Sequence, residues 1–132
     1  MLLDELTDIQ FERKGGQKEV FSAQHPLYGK VAYKKILTTD PLNLERTKRE
    51  IRAATLLNSD HVPKIYGNNC DEVGAVSLWV VEQYVEGDTI RDKLISGYKF
   101  SPKEIVLFID TMLALSVLAE QKTLVHRDIK DL

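Results

Sequence analysis

Between Ile9 and Ile36 the chain is broken twice by turn-forming residues, at Gly15-Gly16 and at His25-Pro26-Leu27-Tyr28-Gly29. The segments on either side carry Phe11, Val20, Phe21 and Ala23, so the spacing predicts three antiparallel strands joined by tight turns. Asp40-Pro41 then supplies an N-cap and a first helical residue, which predicts a helix running to about Asn58. Val62-Pro63-Lys64-Ile65-Tyr66-Gly67 and Ser77-Leu78-Trp79-Val80-Val81 read as two further strands, with Asp71-Glu72-Val73-Gly74 as their turn and Trp79 in the core. Two helices come next. One covers Asp88 to about Ser96; the other opens on Ser101-Pro102-Lys103-Glu104, a capping box with proline just inside, and ends near Gln121. Five strands with a helix between the third and fourth, followed by two more helices, make an α+β chain.

The last helix constrains packing as well. From Ile105 to Ala119 only Asp110, Thr111 and Ser116 are polar, a pattern of a helix buried on every side. The segment is too short to span a bilayer, and the acidic start Met1-Leu2-Leu3-Asp4-Glu5 is not a secretory signal. A net charge of -2 and a pI near 5.9 exclude a global attraction to nucleic acid or anionic membrane, so any anion site must be local. The single cysteine, Cys70, has no intrachain partner and suggests a reducing compartment; a buried structural thiol is the expectation, a reactive one the alternative. A cytoplasmic protein is expected.

Several stretches carry chemistry-bearing residues. Val31-Ala32-Tyr33-Lys34 lies in the third strand, where alternation puts Ala32 and Lys34 on one face and Val31 and Tyr33 on the other. A small residue beside a cation suits a nucleotide, although a strand lysine is also commonly an exposed edge residue. Glu50 precedes Ala54 and Leu57 by one and two turns, which predicts a carboxylate on the apolar face of its helix. The turn Arg13-Lys14-Gly15-Gly16-Gln17-Lys18-Glu19-Val20 gathers cations around glycine, either as a solvated hairpin or near an anion. Near the end of the chain stands Leu124-Val125-His126-Arg127-Asp128-Ile129-Lys130.

In their order and spacing these stretches resemble the protein kinases, of the Ser/Thr class because Lys130 comes two residues after Asp128. The resemblance implies a kinase small lobe, a five-stranded antiparallel sheet plus C-helix over 1–86 ending in a hinge, then the first two helices of the large lobe and the start of the catalytic loop over 87–132. It further implies Asp128 as the acceptor of the substrate hydroxyl proton and Lys130 at the transferring phosphate. Lys34 would hold the α- and β-phosphates, paired with Glu50. Val20 and Ala32 would roof the adenine, Gly15 would approach phosphate, and the backbone of Gln83 and Val85 would bond the base.

The sequence departs from the family at four places. Arg13 and Lys18 replace two loop glycines; Glu82 stands at the back of the pocket, where a carboxylate needs a partner or a raised pKa; and Asp131-Leu132 replaces the usual Pro-Glu. The Asn and the D-F-G Asp that hold Mg²⁺ in the family would fall past Leu132, so weak ATP binding without Mg²⁺, and no phosphoryl transfer by the polypeptide alone, are expected. We expect a chain that ends here by truncation or frameshift, an excised piece of a longer protein being the alternative. Without the rest of a large lobe, helix 102–121 would expose Val106, Leu107, Leu113 and Leu118, which predicts self-association or docking onto another kinase-like chain. A nucleotide-binding module without chemistry and an interaction protein remain as competing readings.

Overall fold

A computed structural model describes residues 2–74 and 77–121, and the chain divides into two compact units, Met1–Val85 and Glu86–Leu132. In the first unit strands β1 (Thr7–Lys14), β2 (Lys18–His25) and β3 (Gly29–Ile36) form an antiparallel meander. Helix α1 (Pro41–Leu56) comes next, then β4 (Ile65–Asn68) and β5 (Leu78–Gln83), which complete a sheet of order β1-β2-β3-β5-β4. All its pairings are antiparallel. The β2–β3 turn is closed by side-chain chemistry: His25 Nδ1 accepts the N–H groups of Leu27 and Tyr28 at 3.1 and 3.3 Å, and Gly29 takes a φ of 71°. That acceptor role leaves the proton on Nε2, which lies 2.9 Å from Glu5 Oε2. The Tyr28 ring stacks between His25 and Tyr66, with centroids 4.7 and 4.0 Å away.

The sheet has two differently covered faces. On one, Ala23, Val31 and Val81 bury with Leu6, and a 3-10 turn at Leu2–Glu5 lays Leu2 and Leu3 over them together with Tyr66 and Trp79. Val31 and Val81 are completely buried, each stabilising the fold by about 1.5–3 kcal/mol relative to exposure. Gly67 makes this cover fit, because a Cβ there would sit 2.5 Å from the Leu2 side chain. On the other face Val80 and Ile65 meet Ile51 of α1 and Cys70. Buried Asn69 ties the β4–β5 connection together, donating to the Ser77 carbonyl at 2.6 Å and accepting the Trp79 N–H at 2.8 Å.

Helix α1 begins as its sequence predicts, with Asp40 accepting the Leu42 N–H at 3.0 Å and Pro41 at the first helical position. Its inward stripe is Leu44, Thr47, Ile51 and Ala54, of which Thr47 and Ile51 are buried. At 100° per residue Glu50 lies about 80° from the middle of that stripe. The expectation that Glu50 shares the packed face is therefore corrected: a buried threonine, invisible to apolar periodicity, sets the phase of the helix.

The second unit contains α2 (Ile90–Ile95) and α3 (Pro102–Gln121). Helix α2 starts later than its sequence suggested, because Thr89 rather than Asp88 makes the capping box, with Asp92. The capping box of α3 forms as predicted: Glu104 N–H donates to Ser101 Oγ at 3.2 Å, and Ser101 N–H to the Glu104 carboxylate at 3.0 Å. That backbone donor, with the Tyr98 hydroxyl, holds the Glu104 carboxyl below its ordinary range. No residue of α3 is buried, and Ile105, Val106, Leu107, Phe108, Ile109, Leu113 and Val117 are exposed.

Candidate nucleotide site

Strand register decides which predicted residues meet. Val20 stands opposite Lys34, and Ala32 stands opposite both Ser22 and Glu82. Directly opposed residues share a face, so Val20, Ala32, Lys34, Val80 and Glu82 line one side of the sheet, the side on which Val80 meets α1. Lys34 and Glu82 are diagonal neighbours on β3 and β5, and their side chains form an ion pair. Both are substantially withdrawn from water, with 26% and 17% of their side-chain surface exposed. The demand that a carboxylate at position 82 places on its surroundings is thus met by Lys34.

That pairing corrects a second expectation. Glu50 keeps 58% of its side-chain surface exposed and pairs with Arg46, one turn earlier on its own helix, at 3.5 Å. The lysine therefore takes its carboxylate from the strand beside it rather than from α1. The pairing of β3 with β5 is non-local, and no local pattern in the sequence displays it.

The remaining predicted residues lie at the hairpin and at the end of the first unit. Gly15 starts the β1–β2 connection, its N–H donating to the Lys18 carbonyl at 2.8 Å. Arg13 stands opposite Val20, and Lys18 precedes Val20 by two on the same strand, so both cations belong to the face that carries Lys34. The Gln83 N–H is committed to the Lys64 carbonyl at 2.7 Å. Val85 is 65% exposed and ends the first unit. Asp128 and Lys130, with the rest of the segment around them, lie outside the described residues.

Cys70 is 3% exposed, and burial pushes its thiol above the ordinary value. A concavity of about 440 Å³ lined by Leu2, Tyr66, Gly67, Asn68, Asn69, Asp71, Glu72 and Trp79 contains none of the predicted site residues. Among the described residues no group of three or more His, Cys, Asp or Glu side chains is placed to hold a metal, and no helix is long and apolar enough to cross a membrane.

Known proteins share this architecture. No family model matches the chain. The probable serine/threonine-protein kinase SCO3848 of Streptomyces coelicolor is 33% identical over 122 residues, which is 89% of this chain and 18% of that protein. PrkC of Bacillus subtilis is 28% identical over 88% of this chain, and PknB of Mycobacterium tuberculosis 33% identical over 88%; the match takes in 18% and 19% of their lengths. The chain thus spans about a fifth of the curated relatives it matches. Among solved structures, the kinase domain of M. tuberculosis PknI superposes with a TM-score of 0.75 at 18% identity, over 96% of this chain and 52% of that one. Shared sequence with bacterial Ser/Thr kinases and a shared five-stranded sheet with helices place the chain in the protein kinase superfamily, as a counterpart of its small lobe.

Proposed function

We propose that the sheet face bearing Val20, Ala32 and Lys34 binds the adenine nucleotide of a Ser/Thr-kinase-type site, weakly and without Mg²⁺. The supporting observation is the common face itself: two apolar residues, one of them small, flank a half-buried lysine, with Arg13 and Lys18 at the neighbouring hairpin. Val20 and Ala32 contact the base, Lys34 faces the phosphates, and the cations of the hairpin supply charge where glycines would supply bare backbone. Asp128 and Lys130 keep the proton-accepting and phosphate-steadying roles that the resemblance implies.

The 132-residue polypeptide alone does not transfer the phosphoryl group. Transfer depends chiefly on positioning and on neutralising charge around the phosphates, and losing one such electrostatic contact already costs about a hundredfold in rate. A thermal-shift titration tests the binding: ATP is expected to raise the melting midpoint equally with and without Mg²⁺, and Lys34→Ala to abolish the shift. Incubation with labelled ATP, Mg²⁺ and a generic acceptor protein is expected to give no more label than Lys34→Ala gives. Transfer well above that control overturns the inactive reading.

A second reading is favoured by α3. Ile105, Ile109, Leu113 and Val117, spaced by four, are each about half exposed or more and form one apolar stripe. In this reading the stripe pairs with the same stripe of a second copy of the chain.

A further inference from the structure

We infer that Glu82 is an internal competitor for the nucleotide phosphates, a built-in carboxylate that must give up Lys34 before a polyphosphate can take it. The inference rests on the nucleotide reading above and adds the residue that sets how tightly the site holds its ligand.

Three observations carry it. Lys34 lies between Val20 and Val80 on the face that also carries Ala32, and the group it touches is Glu82. The pair is partly buried on both sides, so it is less screened than a surface ion pair and holds its geometry more firmly. The alternative carboxylate, Glu50, is turned toward Arg46. With Glu82 in place, the net charge of the pair is zero where a bare lysine would present +1. An incoming phosphate meets a neutralised cation and, within a few ångströms, a second anion. It must either displace the carboxylate or sit beside it, and both routes weaken binding. The base, which carries no charge, is indifferent to this competition. Glu82 therefore discriminates against the charged end of the ligand while leaving the apolar end alone.

The register explains why the competition is intrinsic. Glu82 lies opposite Ala32, and Ala32 is two residues from Lys34 on the same face, so the sheet holds the two side chains in reach of each other without any loop movement. Glutamine at position 82 keeps the shape and loses the charge; leucine loses both charge and hydrogen bonding, and suits the apolar surface of Val80 beside it.

The test measures ATP and adenosine affinities of the 132-residue chain by calorimetry in wild type, Glu82→Gln, Glu82→Leu and the double variant Glu82→Gln/Lys34→Met. Both single variants are expected to bind ATP about tenfold more tightly, a gain of about 1.4 kcal/mol. Adenosine affinity is expected to be unchanged, and the gain for ATP to vanish in the double variant. In wild type, where no folding change intervenes, the carboxylate carbon resonance of Glu82 is expected to move on titration with ATP and to stay still with adenosine. Unchanged or weaker ATP binding in both single variants, with wild type still binding ATP, overturns the competition while the nucleotide site stands. Absence of binding of ATP and adenosine by every variant and by wild type overturns both.

Discussion

Cys70 lies in the cluster of Ile51, Val80 and Ile65 that joins α1 to the sheet, and its thiol is harder to ionise there than in water. Burial is the main cause, opposed by Arg52 and reinforced by Asp71. Because the folded pKa lies above the ordinary 9.0, folding favours the protonated thiol. This contribution is fully present below pH 9 and is lost as pH rises through the folded value, while the unfolded chain ionises first. Burial raises the pKa of Tyr33 in the same direction. A urea midpoint that is flat from pH 7 to about 9 and declines above it is the expected profile, with a shallower decline in Cys70→Ala. A thiol-specific reagent at pH 8 is expected to label native Cys70 far more slowly than urea-unfolded chain; equal rates would make it a reactive thiol. The structural role of this cysteine was legible in the sequence because no cation adjoins it. Lys34 was legible only by half: its face came from strand alternation, but its partner depended on a register between residues far apart in the chain.

Among the elements, the β1–β2 hairpin separates two roles for glycine. Neither Gly15 nor Gly16 has a positive φ, and a Cβ at Gly15 would come no closer than 3.9 Å to the Lys18 carbonyl, while one at Gly16 would meet nothing within 4 Å. The fold does not demand glycine at either position. Gly15→Ala is accordingly expected to leave stability unchanged or to raise it by about 0.4–1 kcal/mol, through reduced freedom of the unfolded chain, as read from denaturant unfolding. If the variant also loses ATP affinity at unchanged stability, the glycine serves close approach to phosphate. A drop in stability would mean that the hairpin takes a backbone shape other than the one described. Elements bounded by local chemistry were the ones readable in advance: Asp40-Pro41 and Ser101-Pro102-Lys103-Glu104 start their helices as written, since a cap needs only its own next three residues. The phase of α1 was not readable, because Thr47 occupies the inward stripe where an apolar residue would have announced it. The N-terminal turn was missed too, although Leu2, Leu3 and Leu6 already show the spacing that lays it on the sheet.

At the scale of the whole molecule, the helix whose composition demands burial has no buried residue. The stripe Ile105, Ile109, Leu113 and Val117 runs along α3 with Asp110 on its flank, about 80° from its centre. The first turn of α3 carries Lys103 and Glu104 side by side, and Glu120 stands near the finish. Twenty residues make a contact about 30 Å long, and a single helix pair of that length falls near the low end of specific interfaces. The expected dimer is therefore weak, with a dissociation constant in the micromolar range or above, about -8 kcal/mol or less in magnitude. Sedimentation velocity is expected to show a sedimentation coefficient that rises with concentration. Leu113→Lys, which places a charge in the middle of an already exposed stripe, is expected to remove that rise without lowering the melting midpoint, because the side chain supports no core. Persistence of the rise in Leu113→Lys would exclude the stripe as the interface.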